Sequence, residues 1–247
     1  MQQPVETLSR HRAEIWLARP PEIGDPQLLE HYRSLLCPAE RARERAFLQA
    51  ADRRAYLITH ALLRTVLSRY CPRRPADWVF HTNPHGRPEL APGQTSLPID
   101  FNLAHTRGLV ACALTLGHAI GIDCECTDRP APLEVAEHFF SPTEAADLAR
   151  APARARDRRF FAYWTLKEAY SKARGLGLCL PLHAYSFDLD DPQGPRIAID
   201  PALHDHPAHW QFHLAAEDPD HLLAIAVKRG QGADLEIRTH RIATRRP

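Results

Sequence analysis

Two acidic residues stand in an otherwise apolar segment, Gly121-Ile122-Asp123-Cys124-Glu125. In a β-strand Asp123 and Glu125 point to one face, with their Cα atoms about 7 Å apart, and the intervening residues point to the other. Two like charges this close need a cation if they are partly buried. Oxygen ligands with no histidine nearby favour Mg²⁺ or Mn²⁺ over zinc. A solvent-facing edge of a β-hairpin is the alternative, and the pattern alone leaves both open.

A second group of charges lies in segment 163–178, YWTLKEAYSKARGLGL. Glu168 and Lys172 are four residues apart and share one face of the predicted helix. As a surface pair they would contribute only about 0.3–0.5 kcal/mol. The surrounding aromatic residues leave little solvated face, which favours a site. A third carboxylate near Asp123 and Glu125 would complete a hard-metal site, with Lys172 one turn away to bind an anion.

Basic residues and one histidine are candidates for holding such an anion. Arg43 lies in the arginine-rich segment 39–70, Arg87 follows the turn 83–86, and His105 follows a strand-like segment. A solvated helix face and a packed histidine are the structural alternatives. Taken together, three acids, a lysine, a histidine and several arginines are the set needed to bind and cleave a polyphosphate. Phosphoryl transfer asks a protein mainly for positioning and charge neutralisation.

Composition restricts the class of protein. The chain has 247 residues and a net charge of +1, which argues against a bulk nucleic-acid binder. The N-terminus lacks the pattern of a signal peptide, and the apolar run 109–122 is shorter than the about 20 residues that span a bilayer. The six cysteines lack CxxC spacing, which favours reduced thiols in a cytoplasmic protein. The pair Cys124 and Cys126 leaves metal or redox chemistry as an alternative.

The elements that must position these residues follow from periodicity and turn chemistry. Segment 39–70 predicts one long helix or two helices joined near 49–52, and 109–116 and 119–125 predict strands joined by a hairpin turn at Gly117-His118. Ser141 and Glu144 predict a capping box, and Gly175 predicts the end of a helix over 156–173. Helices plus antiparallel strands occur once on each side of residue 118, which predicts an α+β fold.

Four segments resemble the surfactin-type (Sfp-type) 4′-phosphopantetheinyl transferases in order and spacing. They are FNLAHT (101–106), GIDCE (121–125), FFSPTE (139–144) and WTLKEAYSKARGLGLCLPL (164–182). The resemblance covers residues 35–185 well and the remainder loosely. It implies a monomeric pseudo-dimer of two similar α/β halves with antiparallel sheets and the site between them. The N-terminal half would be 1–117, with the coenzyme A-binding arginines and His105, and the C-terminal half 118–247, with the metal-binding acids.

The resemblance also implies an activity. The family transfers the phosphopantetheine arm of coenzyme A to a serine of an apo acyl or peptidyl carrier protein and releases adenosine 3′,5′-bisphosphate. The implied ligands of Mg²⁺, or of Mn²⁺, are Asp123, Glu125 and Glu168. Glu168, directly or through a metal-bound water, would help deprotonate the serine, and Lys172 would stabilise the pyrophosphate. The implied coenzyme A contacts are Arg43, Arg87, His105, Asp123 and Lys172.

Some points stay open. Ala104 stands where the family often has serine, which implies that a hydroxyl contact to the ligand is missing. The carrier protein could belong to a fatty-acid, polyketide, non-ribosomal peptide or lysine-type pathway, and no nucleic acid or membrane partner is expected. A basic or apolar docking surface for it is expected near residues 139–160, and the candidates are Arg150, Arg154, Arg156, Arg158 and Arg159. A solvated helix or loop is the alternative for these arginines. A Mg²⁺-dependent hydrolase of nucleotide diphosphates and a non-catalytic binding module are the competing hypotheses.

Overall fold

The computed structural model describes residues 6–242, in which one order of helices and strands occurs twice. The first round consists of β1 (Arg12–Ala18), α1 (Pro26–Leu35), α2 (Pro38–Ala46), α3 (Ala50–Tyr70), β2 (Phe80–Thr82), β3 (Pro88–Leu90), β4 (Ile99–Thr106) and β5 (Leu109–Leu116). The second consists of β6 (Ala119–Cys126), α4 (Leu133–Phe139), α5 (Pro142–Arg150), α6 (Ala153–Arg174), β7 (Tyr185–Asp188), β8 (Arg196–Ile199), β9 (Trp210–Asp218) and β10 (His221–Lys228). A last strand is β11 (Glu236–Arg241). The predicted α+β class is confirmed.

The strands form two main sheets and two short hairpins. One sheet has the order β11-β1-β5-β4, and the other has the order β6-β10-β9. All neighbours are antiparallel except β1 and β11, which run parallel. The prediction that residues 118–247 form the second half stays a prediction. Within it, β11 lies in the sheet of the first round.

The predicted hairpin between β5 and β6 is wrong. Gly117 does turn the chain, with a left-handed φ of 80°. However, β1 and β4 already occupy both edges of β5, so β6 has no free edge to pair with. The chain therefore passes from one sheet to the other at Gly117, and β6 pairs with β10, about a hundred residues later.

The two sheets and the two long helices form four layers. Alternate residues of β5 divide between a core with α3 and a core between the sheets, as the two-residue period of a strand requires. Likewise β10 turns alternate residues to α6 and to the intersheet core. The predicted inward residues Ile120, Ile122 and Cys124 lie in that intersheet core. Asp123 and Glu125 therefore face α6.

Local signals define the ends of the helices. Segment 39–70 contains two helices, because Phe47 to Gln49 leave helical geometry between α2 and α3. Ser141 and Glu144 form the predicted capping box of α5. Gly175 ends α6 in the left-handed region at φ 68°, where a residue without Cβ is unstrained. Within residues 6–242, none of the helices combines the length and apolar character that a membrane crossing demands.

A largely buried acid, whose side chain is 12% exposed, joins α2 to α3. The Glu40 carboxylate accepts hydrogen bonds from Arg64 at 2.7 Å and from the backbone N–H of Cys37 at 2.8 Å, and lies 3.1 Å from His60 Nδ1. Burial opposes ionisation of this carboxyl group. The His60 and Cys37 contacts and the charge of Arg64 outweigh burial and lower the pKa of Glu40 to about 2. The ionised acid therefore stabilises this part of the fold.

We expect Glu40→Gln to lower the free energy of unfolding at pH 7 by about 3 kcal/mol. This follows because the pKa of Glu40 falls from 4.5 to about 2, and each pKa unit corresponds to about 1.36 kcal/mol. A lowered pKa contributes stability above pH 4.5 that is lost as the pH falls towards 2. Urea unfolding of both proteins at pH 7 and pH 2.5 measures the difference, which should shrink at the lower pH. An equal difference at both pH values would contradict the assignment.

Candidate functional site

The site is built where the backbones of β6 and α6 come into direct contact at Gly121. A Cβ placed on Gly121 would lie 2.5 Å from the backbone N of Ala173 and closer still to the backbone O of Ala169. Both alanines are buried. No side chain fits in this gap, so glycine and two alanines allow the strand to lie directly on the helix. This close approach brings Asp123 and Glu125 of β6 to the face of α6 that carries Glu168 and Lys172.

We expect Gly121→Ala to separate β6 from α6, because the added methyl group meets backbone rather than a movable side chain. Overpacking of this kind costs about 1–3 kcal/mol or more. The melting temperature should fall, and the carboxylates of β6 should move away from Lys172. Gly24→Ala is the matched control, because nothing lies within 4 Å of a Cβ there. A melting temperature of Gly121→Ala equal to that of Gly24→Ala would contradict the close contact of β6 with α6.

Lys172 and Asp123 form an ion pair across the contact. Lys172 Nζ lies 2.6 Å from Asp123 Oδ1 and 3.2 Å from the carbonyl oxygen of Ile122. Burial alone would lower the pKa of Lys172, but the charge and hydrogen bond of Asp123 raise it. The ammonium group is therefore charged at neutral pH and lies among acids.

Two carboxylate oxygens of the site are buried without a hydrogen-bond partner. They are Asp123 Oδ2 and Glu168 Oε1, and they are the only such carboxylate oxygens in residues 6–242. Glu125 lies beside them and pairs with Arg129, whose Nη2 is 2.9 Å from its Oε2. A buried anionic oxygen with no donor is costly, so this arrangement has capacity for an added cation.

The three predicted metal ligands affect one another electrostatically. Burial raises the pKa of Asp123, and the charge of Lys172 opposes this. Burial and then the charge of Asp123 raise the pKa of Glu125 and that of Glu168. Carboxylates that hinder each other's ionisation are close in space. A divalent cation among them would relieve this repulsion.

The donor set fits Mg²⁺ by its chemistry, because it is made of carboxylate oxygens and two of them have no other partner. As the side chains stand, no three His, Cys, Asp or Glu residues of the described part of the chain converge closely enough to hold a metal ion. Asp123 is turned to Lys172, and Glu125 is turned to Arg129. Side-chain rotation of these two acids would be needed to bring all three together.

Two of the predicted phosphate-binding residues, His105 and Arg43, belong to the first round of elements, and His105 lies near the acids. His105 is exposed at the end of β4, yet protein surrounds enough of its ring that desolvation, followed by the charge of Lys172, lowers its pKa. The charges of Asp123 and Asp52 also reach the ring. Arg43 is exposed on α2, near enough to Tyr56 of α3 for its charge to act on the phenol. His105 thus lies near both α3 and the acids, whereas Arg43 lies beside Tyr56 of α3.

Unlike the exposed His105 and Arg43, Arg87 is largely buried and hydrogen-bonded to protein groups. Its guanidinium contacts Asp100 Oδ1 at 2.6 Å and the backbone oxygen of Lys172 at 3.1 Å, and little of the side chain is exposed. Its predicted contact with coenzyme A stays a prediction. What the guanidinium does in the structure is to join the two rounds of elements.

Ala104 belongs to a row of β4 residues that faces β6. In that row Asp100, Asn102 and Thr106 accept hydrogen bonds from the backbone N–H groups of β6 residues Ile120, Ile122 and Cys126. Ala104 lies between them and is buried in the intersheet core. Its side chain therefore faces the strand that carries Asp123 and Glu125.

Sequence reasoning gave no role to Lys167. This side chain is fully buried, 2.7 Å from Glu144 Oε2, and it donates to the backbone oxygens of Leu182 and Tyr185 at 2.7 Å each. Glu144 also accepts from the backbone N–H of Phe187. Lys167 thus links the FFSPTE and KEA segments and sets the rotation of α6, which directs the next residue, Glu168, to β6. The capping box was the one signal for Glu144, and it does not reveal the lysine.

The arginines proposed for carrier docking divide into two groups. Arg156, Arg158 and Arg159 donate to protein acceptors, and Arg159 contacts both Asp147 and Asp190. Arg150 and Arg154 are exposed. Arg158 is exposed as well, so the docking surface, which stays a prediction, has its exposed charge at these three residues.

Comparison with known proteins identifies the family of this chain. Residues 119–226 match the model of the 4′-phosphopantetheinyl transferase superfamily. The chain is 32% identical to the 4′-phosphopantetheinyl transferase Sfp of Bacillus subtilis, over 79% of this chain and 84% of that protein. It is 30% identical to the 4′-phosphopantetheinyl transferase HetI of Nostoc sp., over 87% of each.

A solved structure is also similar. The holo-[acyl-carrier-protein] synthase of Neisseria meningitidis aligns with 44% of this chain and 95% of its own, at 20% identity and a TM-score of 0.37. The family assignment rests on the two curated relatives, each of which is matched over more than two thirds of its length. The chain belongs to the Sfp-type 4′-phosphopantetheinyl transferase family.

Proposed function

We propose that this protein transfers the 4′-phosphopantetheine arm of coenzyme A to a serine of an apo acyl or peptidyl carrier protein. The reaction depends on Mg²⁺ and releases adenosine 3′,5′-bisphosphate. The observation that carries this proposal is the group of Asp123, Glu125 and Glu168 beside Lys172, with two buried carboxylate oxygens that have no partner. Such a group suits a pyrophosphate bound together with a divalent cation.

Each residue then has a definite task. Glu168 accepts the proton of the carrier serine, because burial and Asp123 raise its pKa above that of an ordinary glutamate. The serine oxygen forms a bond to the phosphorus next to pantetheine, and the bond from that phosphorus to the bridging oxygen breaks. Lys172 stabilises the charge that develops on the leaving phosphate. Arg43 and His105 bind phosphates of coenzyme A from the α2–α3 side.

Asp123, Glu125 and Glu168 would hold the metal ion. Mg²⁺ supplies charge neutralisation on the pyrophosphate when it is bound. The ion pair of Asp123 with Lys172 has a consequence for this binding. Lys172 must transfer its contact from the carboxylate to a phosphate oxygen, which frees Asp123 for the cation.

The intact mass of an apo carrier protein tests the proposal. After incubation with this protein, coenzyme A and Mg²⁺, the carrier should gain about 340 Da, the mass of the phosphopantetheine arm. EDTA should abolish the gain, and Mn²⁺ should restore it. Acyl and peptidyl carrier proteins from fatty-acid, polyketide and non-ribosomal peptide systems are tested side by side.

Two other outcomes would overturn the proposal. Release of adenosine 3′,5′-bisphosphate without any gain in carrier mass would indicate a hydrolase that uses the same acids with water as the acceptor. No mass gain and no released nucleotide, across all carrier classes, would indicate a binding module.

A further inference from the structure

The guanidinium of Arg87 meets acceptors from three elements. Its Nη1 donates to the backbone oxygen of Lys172 in α6 at 3.1 Å. Its Nη2 lies 2.6 Å from Asp100 Oδ1 and 2.9 Å from the backbone oxygen of Phe101 in β4. The same nitrogen lies 3.2 Å from the backbone oxygen of Ile120 in β6. Only a planar, forked cation can serve so many acceptors at once.

The side chain of Asn83 stabilises the turn before Arg87 and also contacts the end of α6. The Asn83 side-chain oxygen accepts from the backbone N–H groups of His85 and Arg87, at 2.9 and 3.0 Å. The Asn83 side-chain nitrogen donates to the backbone oxygen of Gly175 at 3.3 Å. The last carbonyls of a helix lack partners within the helix and favour a nearby cation. Asn83 and Arg87 supply such partners from the first round of elements, and the Lys172 carbonyl also accepts from the backbone N–H of Gly175 at 3.0 Å.

Asp100 completes the connection. Its Oδ2 accepts from the backbone N–H of Ile120 at 3.0 Å, so one carboxylate binds both Arg87 and β6. Lys172 is held at its carbonyl oxygen by Arg87, while its Nζ lies 2.6 Å from Asp123. The residues Asn83, Arg87 and Asp100 therefore form a clasp that fastens the last turn of α6 to β4 and β6.

We propose that Arg87 is a positioning residue: through this clasp it sets the place of Lys172 relative to Asp123, and it does not bind coenzyme A through its side chain. The inference rests on the transferase function proposed above. Arg87 Nε has no hydrogen-bond partner but is buried, so a phosphate contact would fall to Nη1 and Nη2, which would have to leave acceptors in three elements. It would also leave Asp100 without its cation beside β6. The clasp and the phosphate contact are thus alternatives that experiment can separate.

Hydrogen exchange tests the clasp without any assay of activity. In Arg87→Met and in Asp100→Asn, amides in the last turn of α6 should exchange about tenfold faster than in the unaltered protein, because local opening is easier. Arg107→Met is the matched control, since Arg107 is an exposed arginine paired with exposed Asp128. Unchanged exchange in both clasp variants would overturn the proposal. Asp100→Asn keeps the shape of the side chain and provides the test if Arg87→Met does not fold.

Steady-state kinetics separate positioning from coenzyme binding. In both clasp variants kcat should fall about ten- to a hundredfold, while KM for coenzyme A stays within about twofold. Arg87→Lys should behave like Arg87→Met, because an ammonium group cannot span the acceptors. A KM that rises tenfold, with near-normal turnover in Arg87→Lys, would overturn the proposal in favour of a phosphate contact. If the unaltered protein modifies no carrier, the proposed function fails, and hydrogen exchange still decides the clasp.

Discussion

Glu168→Gln should reduce the rate of carrier modification about 10²–10⁴-fold at saturating coenzyme A and Mg²⁺. Glutamine has nearly the shape of glutamate but can neither accept the serine proton nor neutralise a cation. Initial rates from the mass assay measure the loss. Glu22→Gln, on an exposed glutamate of the first round, is the control and should keep the unaltered rate. A rate for Glu168→Gln near that of the control would exclude Glu168 from the chemistry.

The same variant should be more stable without metal. Glu168 Oε1 is buried without a partner, and burial raises the pKa of this carboxyl group. Removing the charge removes a penalty of about 1 kcal/mol or more. In the presence of EDTA, the melting temperature of Glu168→Gln should therefore exceed that of the unaltered protein. Loss of both activity and stability would instead indicate that Glu168 mainly supports the fold.

Lys167→Met should lower the free energy of unfolding by about 3–5 kcal/mol. The substitution leaves Glu144, which is also fully buried, with an uncompensated charge, and it removes donors from two backbone carbonyls. Urea denaturation at pH 7 measures the loss. Lys228→Met, at a lysine that is 44% exposed, is the control and should cost about 1 kcal/mol or less.

The double variant Lys167→Met with Glu144→Gln isolates the ion pair. Because the second substitution removes the stranded charge, the double variant should be more stable than Lys167→Met alone. Strictly additive losses would show that the two side chains act independently. Any remaining loss measures what the backbone contacts of Lys167 contribute to holding α6 against β7.

The sequence predicted those features of the site and of the helix ends that depend only on residues close together in the chain. The two-residue period of a strand put Asp123 and Glu125 on one face, and the helical period put Glu168 and Lys172 on one face. Ser141 with Glu144 marked the start of α5, and Gly175 marked the end of α6. These are properties of single elements, which depend on residues within one or two turns. Their arrangement in the structure agrees with the sequence patterns.

The sequence did not predict which distant parts of the chain pair with one another. The turn at Gly117 has the local geometry of a hairpin, but the edges of β5 are filled by β1 and β4, so β6 pairs with β10. Nothing near Arg87 in the sequence indicates that its acceptors lie in β4, β6 and α6.

The sequence by itself determined which residues can carry the chemistry of this protein, because acids, a lysine and their spacing on a strand and a helix are local facts. Only the tertiary structure decided that β6 meets α6 at Gly121, that Lys167 pairs with Glu144, and that Arg87 clasps the end of α6. The physical reason is the same in each case. The partner of a buried charge, or the backbone that packs against a glycine, comes from a part of the chain that is distant in sequence. No local sequence pattern identifies that partner, because only the packing of the folded chain brings it close.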